Sequence, residues 1–197
     1  VMAARGWEIL VDRCPRPSTR RHLADSDFRQ AAGITTAQRR DADAVARRRS
    51  DRLPYGPVEN PAAFETLLRL AVEDRPTYVV VLAPQQRDKV AEASHLAEAL
   101  RMYDTEYHAE LDWWTAPFGA TTGIPHSALV SAAESDRVEV GRTFPVTHTR
   151  ERRQDVGDDQ ATIVVISAFD DTPRGILACG ETLSAVLIEA TGASLAS

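Results

Sequence analysis

Lysine is almost absent from this chain of 197 residues: of its 23 basic side chains, all but Lys89 are arginine. The bias reads as compositional, and it lowers the weight that any single arginine carries. Cysteine is scarce too. Cys14 and Cys179 stand alone with no C-x-x-C spacing, which argues against a disulfide framework or a zinc site and leaves a reducing cytoplasm as the default compartment. No apolar run approaches the roughly 18 residues of a membrane span, and no charged-then-apolar leader opens the sequence. Hydrolase and nucleotide motifs are missing as well. The five histidines show no H-E-x-x-H, Gly119-Ala120-Thr121-Thr122-Gly123 lacks the Lys-Ser/Thr of a P-loop, and Ser184 has no G-x-S-x-G elbow.

What is present is an ordinary soluble, globular composition, 43% hydrophobic and 26% charged, long enough for one domain or parts of two. The formal net charge of -6 argues against a general binder of nucleic acid or of membrane surfaces. The chain opens on Val1 and closes on a small-residue tail, so we expect an internal piece of a longer protein.

Trp7–Asp12 alternates as a strand does, and Leu23–Ala31 is a weaker strand candidate after the break at Cys14-Pro15-Arg16-Pro17. Thr35-Thr36 caps a helix expected to reach Arg49, with Ala37, Ala42, Val45 and Ala46 on its apolar side. Pro61 opens a second helix carrying Phe64, Leu67, Leu68, Leu70 and Ala71. The β-branched runs Thr77–Leu82 and Ala161–Ser167 read as buried strands. Between them a single long helix is expected from Pro84 to Trp114. An irregular stretch follows to Gln160, with a short helix near Ser127–Glu134 and the character of a lid. Thr172-Pro173 starts the last helix, whose apolar positions cover enough of its circumference to make it central.

Most polar groups have ordinary explanations. Glu106 and Glu110 share a helix face as solvated acids, and Asp170-Asp171 suits the positive end of a helix. The constellation that stands out is Arg47-Arg48-Arg49-Ser50-Asp51-Arg52, where Pro54, Gly56 and Pro57 force the chain out of a helix. Guanidinium forks with a hydroxyl suit a phosphate. Arg48, Ser50 and Arg52 converge only if the backbone breaks near Ser50. The bland alternative is that the arginines merely complement the negative helix end.

Arg48-Arg49-Ser50-Asp51-Arg52, ending at Pro54-Tyr55, resembles the R-R-S-x-R-x-F/Y opening motif of the nitroreductase family of flavoproteins. The order of elements that follows is similar to that family, as is the helix Gly180–Thr191. Tyr107, Glu110, Trp114 and Gly123-Ile124-Pro125 resemble its Acg-type branch, in which two lobes are fused in one chain. The resemblance implies an α+β fold, a three-layer α/β/α arrangement with a mostly antiparallel central sheet flanked by helices, incomplete at both ends. Residues 1–35 would be the tail of a first lobe and residues 36–197 most of a second.

The same resemblance implies an FMN-dependent oxidoreductase passing electrons from NAD(P)H to a small-molecule acceptor. Its alternative is a protein that binds or sequesters FMN with little turnover. Arg48 and Ser50 would bind the FMN phosphate, and Arg52 the phosphate or ribityl chain. Arg49 joins them as a further candidate, and Arg101 is the candidate for a polar contribution from the long helix. The S-x-H-N-T-Q-P-W-like segment that contacts the flavin ring in this branch is not found in the sequence. The implied partners are the flavin, the acceptor and the first lobe of the same chain, with a homodimer as a further expectation and no nucleic acid or membrane.

Overall fold

A computed structural model describes residues 1–16, 19, 21–116, 123–148 and 150–197. The sequence features at Pro17 and at Gly119–Thr122 lie outside the described residues. The chain divides into two compact units, one formed by residues 1–49, 60–80 and 164–197, the other by residues 50–59 and 81–163.

The first unit opens on a hairpin of β1 (Trp7–Arg13) and β2 (Ala24–Gln30), paired antiparallel with Trp7 opposite Gln30 and Arg13 opposite Ala24. Both strands expected from the sequence are therefore formed. Both faces of the ribbon are exposed, including Ile9, Leu10 and Phe28. Helix α1 (Thr36–Arg47) begins on a capping box: Thr35 accepts from the Gln38 N–H, and Gln38 reaches back to the Thr35 N–H. Its buried residue is Ala44 rather than Val45, which is exposed. Helix α2 (Pro61–Val72) is capped by Asn60 and buries Leu68, while Leu70 points to solvent.

Strands β3 (Thr77–Val81) and β4 (Val164–Ala168) form a second two-stranded sheet. Just beyond it, the Leu82 N–H donates to the Ile163 carbonyl at 2.9 Å. Neither strand is buried on both faces as expected. Exposure alternates along each, with Tyr78, Val80 and Val165 on the open side. The last helix covers one face of β4. The fold is thus α+β, and among the described residues the strands lie in two two-stranded sheets.

Helix α6 (Pro173–Gly192) starts where the sequence places it, with the Thr172 hydroxyl accepting the Gly175 N–H at 3.1 Å. Asp170 in turn accepts from the Thr172 hydroxyl at 2.7 Å, the helix-start role read for that acid. Its buried face is a stripe of small residues, Gly175, Ala178, Thr182, Val186 and Ala190, against which α1 and α2 pack. Ile176 and Leu183, two of the apolar positions on this helix, are exposed. At 20 residues and mean hydropathy 1.2, α6 has the length and composition of a membrane span, a test that the core helix of a globular protein also passes. Its packing against α1, α2 and β4 gives the apolar surface another use.

In the second unit the expected long helix is broken. A short 3-10 turn (Pro84–Gln86) leads into α3 (Arg87–Arg101), and α4 (Thr105–Thr115) starts anew. Asp104 takes extended backbone angles and its side chain accepts the Tyr107 N–H at 3.0 Å. An aspartate placed to cap competes with helix continuation, and here the cap wins. The short helix expected near Ser127–Glu134 is likewise split into a 3-10 turn at His126–Ala128 and α5 (Ala132–Ser135), the latter closed by a Ser131–Glu134 capping box.

Candidate functional site

The arginine-rich motif begins where α1 stops. The helix ends at Arg47, and Arg48 turns extended (φ −54°, ψ 131°), so the backbone breaks two residues before Ser50. The Arg49 guanidinium folds back to donate to the Ala46 carbonyl at 3.1 Å and the Arg48 carbonyl at 2.7 Å. This is the helix-end role: a cation neutralising carbonyls that have no intrahelical partner. Arg48 and Arg49 belong to the first unit, Ser50 to Arg52 to the second.

Within the second unit, residues 51–55 are held by a polar network around two acids. The Leu53 N–H donates to Asp51 Oδ1 at 3.0 Å, and the Tyr55 hydroxyl donates to the Asp51 carbonyl at 2.8 Å. Arg153 pairs with Asp51 Oδ2 and donates to the Pro54 carbonyl at 3.0 Å. Asp159, 2% exposed at its side chain, accepts the Tyr55 N–H at 2.8 Å and the Arg87 guanidinium at 2.6 Å. Burial pushes the Tyr55 hydroxyl pKa up to about 12, with Asp51 adding to the rise.

Arg52 stands apart from this network. Its guanidinium lies 4.2 Å over the Phe144 ring, and burial lowers its pKa, against smaller opposing effects from Tyr55 and Asp51. The ladder continues: Arg142 is 5.6 Å from the Phe144 ring and 4.5 Å from that of Tyr107, and Arg101 lies 5.1 Å over Tyr107. Two of the sequence-predicted cations, Arg52 and Arg101, therefore sit in one alternating stack of guanidinium and aromatic planes. Arg101 also faces Glu98 at 3.9 Å, and Glu98 accepts from the Tyr107 hydroxyl at 3.2 Å.

The other polar candidates keep structural roles. Glu110 accepts from the Trp114 indole at 3.3 Å. His95 and His108 fall on different helices, and His108 Nε2 lies 3.1 Å from the Met102 carbonyl oxygen. Among the described residues no group of three or more His, Cys, Asp or Glu side chains is placed to hold a metal ion. A groove of about 570 Å³ in the first unit is lined by Arg13, Arg75 and Arg174 together with Glu73, Asp74 and Glu181. Its charges are mixed, and Arg13 is already tied to Glu181 at 2.8 Å.

Sequence reading missed Arg142, Phe144, Arg153, Asp159 and Arg87. Arg153 and Asp159 reach residues 51 and 55 across 102 and 104 positions of chain. No local spacing reports such a pairing.

No family model matches the chain. Acg of Mycobacterium tuberculosis, provisionally named an NAD(P)H nitroreductase, is 47% identical over 195 residues, covering 99% of this chain and 59% of that protein. An uncharacterised protein of the same organism is 40% identical over 195 residues, covering 99% and 57%. Another provisionally named NAD(P)H nitroreductase there is 28% identical over 196 residues, covering 99% and 56%. The chain is thus similar across nearly its whole length to Acg and its relatives, and it spans less than two thirds of the length of these proteins.

Proposed function

We propose that the chain is part of a nitroreductase-type oxidoreductase that passes electrons from NAD(P)H through FMN to a small-molecule acceptor. The observation that carries this reading is the 47% identity to Acg across 99% of the chain. In this reading residues 1–35 close a first lobe, residues 36–197 make most of a second, and the two belong to one three-layer fold. The half-exposed strands β3 and β4 would then lie in a larger, mostly antiparallel sheet, and the protein would work in the cytoplasm.

FMN, when bound, supplies the hydride chemistry at its isoalloxazine ring. The chain supplies cations and donors for the phosphate. The motif assigns Arg48 and Ser50 to that phosphate and Arg52 to the phosphate or ribityl chain. Arg52 fits: it is half-buried, and among the described residues it has no carboxylate partner. Arg49 acts through the helix end that it caps, and Arg101 through the Tyr107 stack.

The test uses the full-length protein. Bound yellow flavin should bleach on anaerobic addition of NADH or NADPH. Tight FMN that neither nicotinamide reduces would overturn electron transfer and leave flavin sequestration. Arg48→Ala combined with Ser50→Ala should lower flavin content about tenfold or more, the scale of losing charge-assisted hydrogen bonds to a phosphate. Unchanged content would remove the motif from the site.

A further inference from the structure

Arg142 has no place in the motif, yet its surroundings are unusual among the arginines of the second unit. Its neighbours are spent on acids: Arg87 on Asp159, Arg153 on Asp51, Arg152 beside Glu134, and Arg101 beside Glu98. Arg142 instead rests on aromatic rings, 4.5 Å from the centroid of Tyr107 and 5.6 Å from that of Phe144. Its Nε donates to the Tyr107 hydroxyl at 3.0 Å, which orients the fork and leaves the four terminal N–H groups without a hydrogen-bond partner among the described residues. Arg52 shares the Phe144 ring, at 4.2 Å, and it too lacks a carboxylate partner there. The acid next to it, Asp51, is already held by Arg153 and the Leu53 N–H.

Two unspent guanidiniums on one phenyl ring are a poor arrangement for the protein alone. Like charges are gathered, and the burial of Arg52 is only partly offset by Tyr55 and Asp51. An oxyanion resolves this. The ring distances keep the two guanidinium carbons within about 10 Å of each other. At that separation or less, one phosphate can take a fork from each after rotation of the exposed Arg142 side chain. Aromatic faces meanwhile hold both guanidinium planes without neutralising them.

We infer that Arg142 and Arg52, seated on Phe144 and with Arg142 oriented by Tyr107, form a binding site for a phosphate monoester. The site deepens the functional reading above, on which its two sources rest: the phosphate of the flavin, or the 2′-phosphate that distinguishes NADPH from NADH. Arg142 is a binding residue and Tyr107 a positioning residue.

The experiment uses the full-length protein with inorganic phosphate as the first probe. Phosphate should raise its thermal midpoint above that in chloride of equal ionic strength. Arg142→Gln should abolish the difference, while Arg142→Lys should keep part of it, because the charge remains and the fork is lost. Two further arms identify the source. If the flavin phosphate sits there, Arg142→Gln weakens FMN about tenfold and leaves riboflavin unchanged; if the nicotinamide phosphate does, KM for NADPH rises about tenfold and that for NADH does not. An Arg142→Gln protein, folded by circular dichroism, with the wild-type response to phosphate overturns the site, as does equal weakening of FMN and riboflavin with no split between the nicotinamides. Phosphate binding that needs Arg142 in a protein that binds no flavin sinks the functional reading and leaves this one standing. Normal flavin reduction with an indifferent Arg142→Gln does the reverse.

Discussion

Arg87 and Asp159 form a short ion pair, 2.6 Å from Nη2 to Oδ2, and the second oxygen of the same carboxylate takes the Tyr55 N–H at 2.8 Å. One buried acid thus ties the start of α3 to the turn that carries Arg52. Arg87 adds a bond to the Ala161 carbonyl at 2.8 Å, so the guanidinium is satisfied on two sides.

Removing the acid leaves that guanidinium and the Tyr55 N–H without their partner. Asp159→Ala is expected to destabilise the protein by about 3 kcal/mol, the scale of breaking a buried pair by deleting one member. Urea denaturation measures it. A loss under about 1 kcal/mol would mean that water replaces the carboxylate at little cost.

Two glycines are required by their surroundings. Gly123 has φ +123°, and a Cβ there would meet the Trp114 carbonyl oxygen at 2.8 Å, the same oxygen that accepts the Ile124 N–H. Gly175 would place a Cβ 2.5 Å from the Asp170 carbonyl oxygen. Each Gly→Ala change should cost about 1–3 kcal/mol, where an exposed helix interior would gain from alanine. A thermal midpoint equal to wild type for either variant would refute the clash.

Glu134 is fully buried, between the N–H groups of Ser131 (2.8 Å) and Arg152 (2.7 Å). Burial alone would raise its pKa, but the hydrogen bonds from Ser131 and Arg152 outweigh it and hold the carboxyl below its ordinary value of 4.5. A lowered folded value means stability that is complete above the ordinary value and fades as pH falls through the lower folded one. The stability gap between wild type and Glu134→Gln should therefore be constant near neutrality and shrink below about pH 4.5. A gap that widens with acid contradicts the assignment.

Tyr55 titrates in the opposite sense. With its hydroxyl pKa raised from 10 to about 12, its contribution is whole below pH 10 and is lost as pH climbs towards 12. Tyr55→Phe should cost about 1 kcal/mol at neutral pH, through the bond to the Asp51 carbonyl, and should flatten the alkaline decline. The tyrosinate absorbance lost in the variant should belong to the most alkaline part of the titration; its loss near pH 10 would overturn the buried environment.

Helix starts were the most legible features. Thr35, Asn60 and Thr172 each cap the helix that their local sequence announces, because a cap is settled within three or four residues. Strands β1 to β4 were legible for the same reason. The break at Asp104 was written in equally local chemistry, yet the apolar period running through Val90, Leu100, Tyr107 and Leu111 masked it.

The amino-acid order alone therefore determined most helix starts, the strand segments, where the arginine-rich turn falls, and the chain's likeness to Acg-type nitroreductases. Only tertiary structure decided which face of α6 is buried and that Arg52 and Arg142 share the Phe144 ring. The packing of α6 on α1 and α2, and the meeting of Arg52 with Phe144, join residues about ninety or more positions apart. Local patterning encodes hydrogen bonds within a few residues; it carries no record of which distant ring or carboxylate the folded chain brings beside a given guanidinium.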